Sequence, residues 1–326
     1  MSHQFATYLK LSLEILIFSV FLNTKMPVNS YPNELENRRI INREIASLIE
    51  KEKQQQEREI SQEIIYLPDT KDEKIFQSLI NKAIETNLKQ TGFGEIIQTV
   101  ATDFLGSQYQ AGLLDRSPQE TLVISLQKFD CVLFVESVIA IARSIASQDY
   151  NYDNFTKNVV EQRYSQGKMI DYCSRLHYFS HWIADNQKRN LVTNITADLG
   201  GTTIQKKLDF MTTNRNSYAQ LKNEHNYQCI TNVEKSLEQL NFNYIPTQNV
   251  RSIYERLQPG DIIGIATNIK GLDFTHTGLV YQDERGNIGL IHASPAGQVV
   301  IASDLQDYVQ NVRNAIGIVV ARPHLN

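Results

Sequence analysis

The chain is short of cysteine, of net charge and of long apolar runs, and each shortage removes a class of protein. Its three cysteines, Cys131, Cys173 and Cys229, form no C-x-x-C pair, so no dithiol or paired-cysteine zinc motif is there to be read. The formal charge is only −4, and no basic run carries interleaved aromatics, which argues against a nucleic-acid partner. Leu11 to Leu22, preceded by Lys10, is apolar but too brief for a membrane span; it has the length of a signal-peptide core. Glu14 interrupts it, and no small-x-small cleavage site stands before Ser30. The expectation is a signal peptide over 1–30, an exported protein (periplasmic or extracellular), and no stable membrane span once the leader is removed. Asp198-Leu199-Gly200-Gly201-Thr202-Thr203 lacks the spacing and lysine of a phosphate loop and reads as a turn.

With 326 residues, 41% of them apolar, the chain can bury a sizeable core. A polar stretch over 31–70, with Ile41, Ile45, Leu48 and Ile49 at helical spacing, reads as a helical spacer closed by Leu67-Pro68-Asp69. Asp72 then begins an amphipathic helix with Ile75, Leu79, Ile80, Ala83 and Ile84 on one face. The next helix carries Ile96, Ile97, Val100, Ala101, Phe104 and Leu105 towards Gly106. Strands are expected at Asp261 to Ala266, Thr275 to Tyr281, Ile288 to His292, Gln298 to Ile301 and Ile316 to Ala321. Helices followed by several short strands indicate an α+β fold, with helices packed on one side of an antiparallel sheet.

The stretch from Cys131 to Arg143 is apolar nearly all the way round, so its helix should be buried. Asp130 suits the N-cap, which puts Cys131 at a fixed helix N-terminus where free N–H groups favour an anion. There a thiol can fall to roughly 3.5–7.5, although an inert buried cysteine is the commoner fate of the residue. Far downstream, His276 and His292 lie on β-like runs joined by the polar segment Gln282 to Asn287. A turn centred on Glu284 makes the two face each other, one centred on Arg285 makes them diagonal neighbours, and an odd register separates them unless a bulge intervenes. A thiol, an imidazole base and a second polar group that holds the base's tautomer form the generalised triad of covalent hydrolases.

Five segments in order, Leu105 to Gly112, Phe129-Asp130-Cys131, Leu257-Gln258-Pro259-Gly260-Asp261-Ile262, Thr275 to Val280 and Leu290 to Ser294, resemble the signatures of the NlpC-type cell-wall cysteine peptidases. The long Tyr109-to-Cys131 spacing and the insertion over about 150–250 are most similar to the N-acetylmuramoyl-L-alanine amidase-like branch, from about residue 72 onwards. The resemblance implies a papain-like domain over 72–326, with helices on an antiparallel sheet or small β-barrel and the nucleophile at the start of a buried helix. It also implies a cut between muramic acid and L-alanine in peptidoglycan fragments, preferring 1,6-anhydromuramyl peptides. Cys131 becomes the nucleophile, His276 the base, His292 the orienting member and Tyr109 a residue lining the site. No cofactor or metal is required. The runner-up activities are a D,L-endopeptidase cutting the stem peptide or a thiol acyltransferase, and the non-enzyme alternative is a wall-binding module.

Within the insertion, Arg175 is a candidate anchor for a carboxylate or sugar substituent, because its guanidinium can bind bidentately; an ordinary salt bridge is the alternative. His177 and His181 stand four apart on an expected helix, as zinc ligands do. The glutamate of a metalloprotease helix is absent between them, so packing or hydrogen bonding is the expected role. In an exported protein Cys173 and Cys229 could pair and leave Cys131 free; two reduced buried thiols are the simpler expectation.

Overall fold

The computed structural model describes residues 70–238 and 242–325. The expected leader over 1–30 and, Thr70 apart, the spacer over 31–70 lie outside the described residues. Helix α1 (Thr70–Glu85) buries Phe76, Ile80 and Ala83. Phe76 stacks on Phe155 with ring centroids 5.1 Å apart, which turns the buried stripe away from Ile84, left 51% exposed. Helix α2 (Phe93–Asp103) buries Ile96, Ile97, Val100 and Ala101 as expected, while Leu105, beyond its end, is exposed. Two-residue strands follow: β1 (Gln108–Tyr109) pairs in parallel with β2 (Lys128–Phe129).

Helix α3 (Cys131–Ser147) is buried continuously from Leu133 to Ile145. It packs against α4 (Tyr152–Arg163), α2 and the sheet. The expected insertion supplies α5 (Phe179–Lys188), β3 (Val192–Asn194), β4 (Thr202–Ile204), α6 (Glu224–Leu237) and β5 (Phe242–Pro246). Here two expectations are corrected. His177 lies before α5, whose first residue is Phe179, so the histidine pair does not share one helix face. Cys173 and Cys229 are joined as a disulfide with their Cα atoms 6.1 Å apart, within ordinary bridging distance. The bridge ties the chain ahead of α5 to α6 beside a satellite cluster of Tyr172, Tyr178, Leu208, Met211, Leu221 and Ile230.

The remaining elements are β6 (Ile262–Thr267), β7 (Phe274–Gln282), β8 (Ile288–Ala293), β9 (Val299–Ala302), α7 (Leu305–Asn311) and β10 (Ala315–Pro323). All five strands expected from the sequence are present. The sheet runs β4-β5-β10-β6-β7-β8-β9, with β3 also on β10, and every pairing in it is antiparallel. It stays open between β4 and β9, so the small-barrel alternative does not hold. Gly260, at φ +79° ahead of β6, makes the tight turn, and a Cβ there would stand 2.9 Å from Ile97 Cβ.

Side chains alternate across the sheet. Ile262, Leu279, Ile291 and Val319 join the helical core. Ile263, Ile265, Val280, Leu290, Ile318 and Val320 pack on the other face with Val250, Ile253, Leu305 and Val309. The sheet is therefore covered on both faces rather than one, because β6 and β10 are apolar at successive positions and leave no face suited to water.

One carboxylate lies inside α3. Glu136 Oε2 accepts from Arg163 Nε at 2.7 Å, and its Oε1 accepts from Trp182 Nε1–H at 3.1 Å. Arg163 also donates to the Val123 carbonyl. Both charged side chains are almost fully buried, where an unpaired ion is far more costly than a missing pair. Glu136→Ala is therefore expected to cost about 3–5 kcal/mol of unfolding free energy, read by urea denaturation. A loss below about 1 kcal/mol would mean that Arg163 is satisfied without this carboxylate.

Candidate active site

The β7–β8 register pairs Leu279 with Ile291 and Gln282 with Ile288, which centres the turn on Arg285. His276 and His292 are thus diagonal neighbours on one face, one of the registers expected. His276 Nε2 lies 2.8 Å from His292 Nδ1, with the rings edge-on at 87°. Gly278 makes the approach possible: a Cβ there would stand 2.9 Å from both His292 Cβ and the Ile291 carbonyl oxygen. Burial holds the His276 and His292 rings well below the usual imidazole value, at about 3 and about 4, with repulsion from His292 adding to the fall at His276. Both are neutral near pH 7.

Cys131 opens α3, which docks against β7. Asp130 caps the helix as expected, its side chain accepting from the Val132 and Leu133 amides at 3.1 and 2.8 Å. That cap has a consequence for the thiol. The Leu133 N–H is taken by the Asp130 carboxylate, and the Val132 N–H is shared with it. Burial, together with the Asp130 charge, pushes the Cys131 thiol up to about 12, against the help of the Thr277, Cys131 and Val132 amides. The expected fall to roughly 3.5–7.5 is opposed here, since burial and the Asp130 charge hold the proton on a half-buried sulfur.

Tyr109 is fixed by its neighbours. Its amide donates to the Gly297 carbonyl at 2.7 Å, and the Gln110 amide donates to Phe129 at 2.8 Å. Its phenol is raised by burial and by the charges of Cys131 and Asp130, so it stays protonated near the sulfur. Tyr308, on α7, closes the other side. Its ring centroid is 4.6 Å from that of His292, and its hydroxyl is 3.5 Å from His292 Nδ1. Burial and then the Cys131 charge push this phenol up to about 12. A tyrosine 16 residues beyond His292, on a short helix between strands, carried no motif by which to find it.

Arg175 takes the salt-bridge role, one of the two readings its sequence left open. It is 5% exposed, pairs with Asp115 at 2.8 Å and Glu120 at 3.5 Å, donates to the Leu114 carbonyl and lies over the Tyr172 ring. Its fork is spent inside the protein, tying the 113–120 segment to the insertion, and is not an open substrate anchor. His177 Nε2 meets the Tyr172 carbonyl at 2.7 Å, a hydrogen bond that suits a neutral ring rather than a metal ligand. Among the described residues, no helix is long and apolar enough to cross a membrane.

This α+β arrangement, with its thiol, paired imidazoles and two phenols, has known relatives. A family model described as N-acetylmuramoyl-L-alanine amidase-like matches residues 99–318. The chain belongs to this AmiA-like family. A solved N-acetylmuramoyl-L-alanine amidase from Bacteroides uniformis is 28% identical with a TM-score of 0.67, over 71% of this chain and 98% of its own. A Bacteroides fragilis structure provisionally named a xylanase is 31% identical with a TM-score of 0.62, over 69% of this chain and 99% of its own. A Legionella pneumophila protein at 21% identity and TM-score 0.57, over 78% and 97%, shares the fold. No curated protein matches the chain.

Gly278→Ala is expected to cost about 1–3 kcal/mol through overpacking and to break the His276–His292 hydrogen bond. Denaturation midpoints and imidazole nitrogen resonances check this; an unshifted midpoint with both resonances intact would contradict it.

Proposed function

We propose that this protein is a cysteine-dependent amide hydrolase of peptidoglycan fragments, cutting between the lactyl group of muramic acid and L-alanine. Cys131 is the nucleophile, His276 the general base and His292 the member that orients it. The observation that carries the reading is the His276 Nε2 to His292 Nδ1 bond at 2.8 Å, on the strand against which the Cys131 helix packs.

With a neutral thiol and neutral imidazoles, proton transfer accompanies attack instead of preceding it. Nδ1 of His276 takes the thiol proton as sulfur bonds to the carbonyl carbon. Asp130 occupies the Val132 and Leu133 amides, so the oxyanion falls to the Cys131 amide and the Tyr109 hydroxyl. The imidazolium then returns its proton to the departing alanine nitrogen. Water, deprotonated by the same ring, hydrolyses the thioester.

In this proposal the protein is papain-like and a distant NlpC-type relative, and muropeptides with a 1,6-anhydro end are favoured. Export fits the reading: the Cys173–Cys229 disulfide suits an oxidising compartment, and the substrate comes from the wall. A glycosidase would call for two carboxyl groups flanking the scissile bond, whereas the groups gathered around Cys131 are imidazoles and phenols.

Two measurements test this. Mass spectrometry of an anhydromuramyl tripeptide incubated with the protein is expected to show intact peptide and free anhydro-sugar, with Cys131→Ala slower by roughly 10⁴-fold or more. A shortened stem left on the sugar would indicate the endopeptidase, and no cleavage the wall-binding module. The pH dependence of kcat/KM is the second. The imidazoles lose their free base only as pH falls towards about 3 to 4, and the thiol loses its proton only towards about 12. The profile is therefore expected to be flat from about pH 5 to 9. A limb near the ordinary histidine value would indicate a preformed thiolate–imidazolium pair.

A further inference from the structure

The bond between the two histidines does not decide by itself which ring carries the shared proton. In one tautomer, His276 donates its Nε2–H to His292 Nδ1 and keeps a bare Nδ1 with which to accept the thiol proton. In the other, His292 donates from Nδ1, and His276 must hold its own proton on Nδ1, where it cannot serve as a base. Both rings are buried, at 7% and 1% exposure, and both are neutral, so no net charge on either one selects the tautomer. A third group can. Tyr308 packs its ring against His292, centroids 4.6 Å apart, with its hydroxyl 3.5 Å from the same Nδ1 atom that His276 contacts at 2.8 Å.

We propose that Tyr308 is a positioning residue that sets the tautomer of the histidine pair: its O–H donates to His292 Nδ1, favouring the state in which that nitrogen is bare and His276 Nδ1 is free to act as base. This deepens the reading of Cys131, His276 and His292 as a catalytic unit and rests on it. The phenol keeps its proton through the working range, because burial holds it far above neutrality. A hydroxyl beside an N–H would have to turn its proton away from Nδ1. Beside the lone pair, which already accepts from His276 at 2.8 Å, it adds the longer arm of a three-centre bond at 3.5 Å. No bond to Cys131 or to substrate is needed for this effect, which reaches the reaction only through the two rings.

The test is Tyr308→Phe, which keeps the ring on His292 and removes only the oxygen. In the full chain labelled with nitrogen-15 histidine, the parent is expected to show His276 protonated at Nε2 and bare at Nδ1. In Tyr308→Phe the tautomer ratio should move about fivefold towards His276 protonated at Nδ1, the worth of one neutral hydrogen bond. On the anhydromuramyl tripeptide, kcat should fall by up to the same factor while KM is unchanged. If the variant keeps the parent's imidazole resonances, or raises KM with kcat intact, the assignment of Tyr308 is overturned. The failure of the hydrolase reading looks different: the parent would leave the tripeptide uncut, or Cys131→Ala would cut it as fast, while the resonances, recorded without substrate, would still report on Tyr308.

Discussion

A helix with no face towards water constrains everything near it. Nearly every side of α3 is covered, so its N-terminus and its one internal carboxylate must find partners inside the protein. Asp130 supplies the first, through the Val132 and Leu133 amides. Arg163 and Trp182 supply the second, from two other helices. Together they fix where Cys131 emerges and how α3 lies on the sheet. The hairpin that brings the histidines to it is held in turn by a sheet packed on both faces. The position of the sulfur thus follows from core packing, with the short strand β1 adding Tyr109.

Desolvation then sets the chemistry. The thiol moves up and both imidazoles move down, each towards its neutral form, because the same dry surroundings penalise every charge. A helix N-terminus alone would act the other way on the thiol. The cap spends that advantage, since the carboxylate that ends the helix is also the nearest negative charge to the sulfur. The result is a thiol and two imidazoles that rest neutral, on which charge develops only as sulfur attacks.

Much of this could be read from the residues. The apolar wrap of Cys131 to Arg143, the cap at Asp130 and all five late strands follow from composition and alternation, which are local. The histidine pairing was legible as a choice between registers, and the turn at Arg285 made the selection. What was hidden depended on distant contacts. Arg175 looked available until the 113–120 segment folded over it with Asp115 and Glu120. Cys173 and Cys229 are 56 residues apart, and nothing local signals their meeting. The fall expected at the thiol failed because a sequence shows a helix start but not how much water reaches it. Strands β3 to β5 are short and polar at several positions, and only pairing with β10 or with one another defines them.

The place of β10 also bears on how the molecule comes into being. It is the last strand in chain order among those described, yet it stands inside the sheet, bonded to β6 along one edge and to β5 and β3 along the other. While the ribosome is still making this strand, β6 has an open edge, and the strands of the insertion have nothing to dock on. Sheets built from such distant pairings fold slowly, and unpaired edges invite association with other chains. A nascent copy must therefore remain incomplete, and in need of protection from its neighbours, until synthesis has passed Pro323.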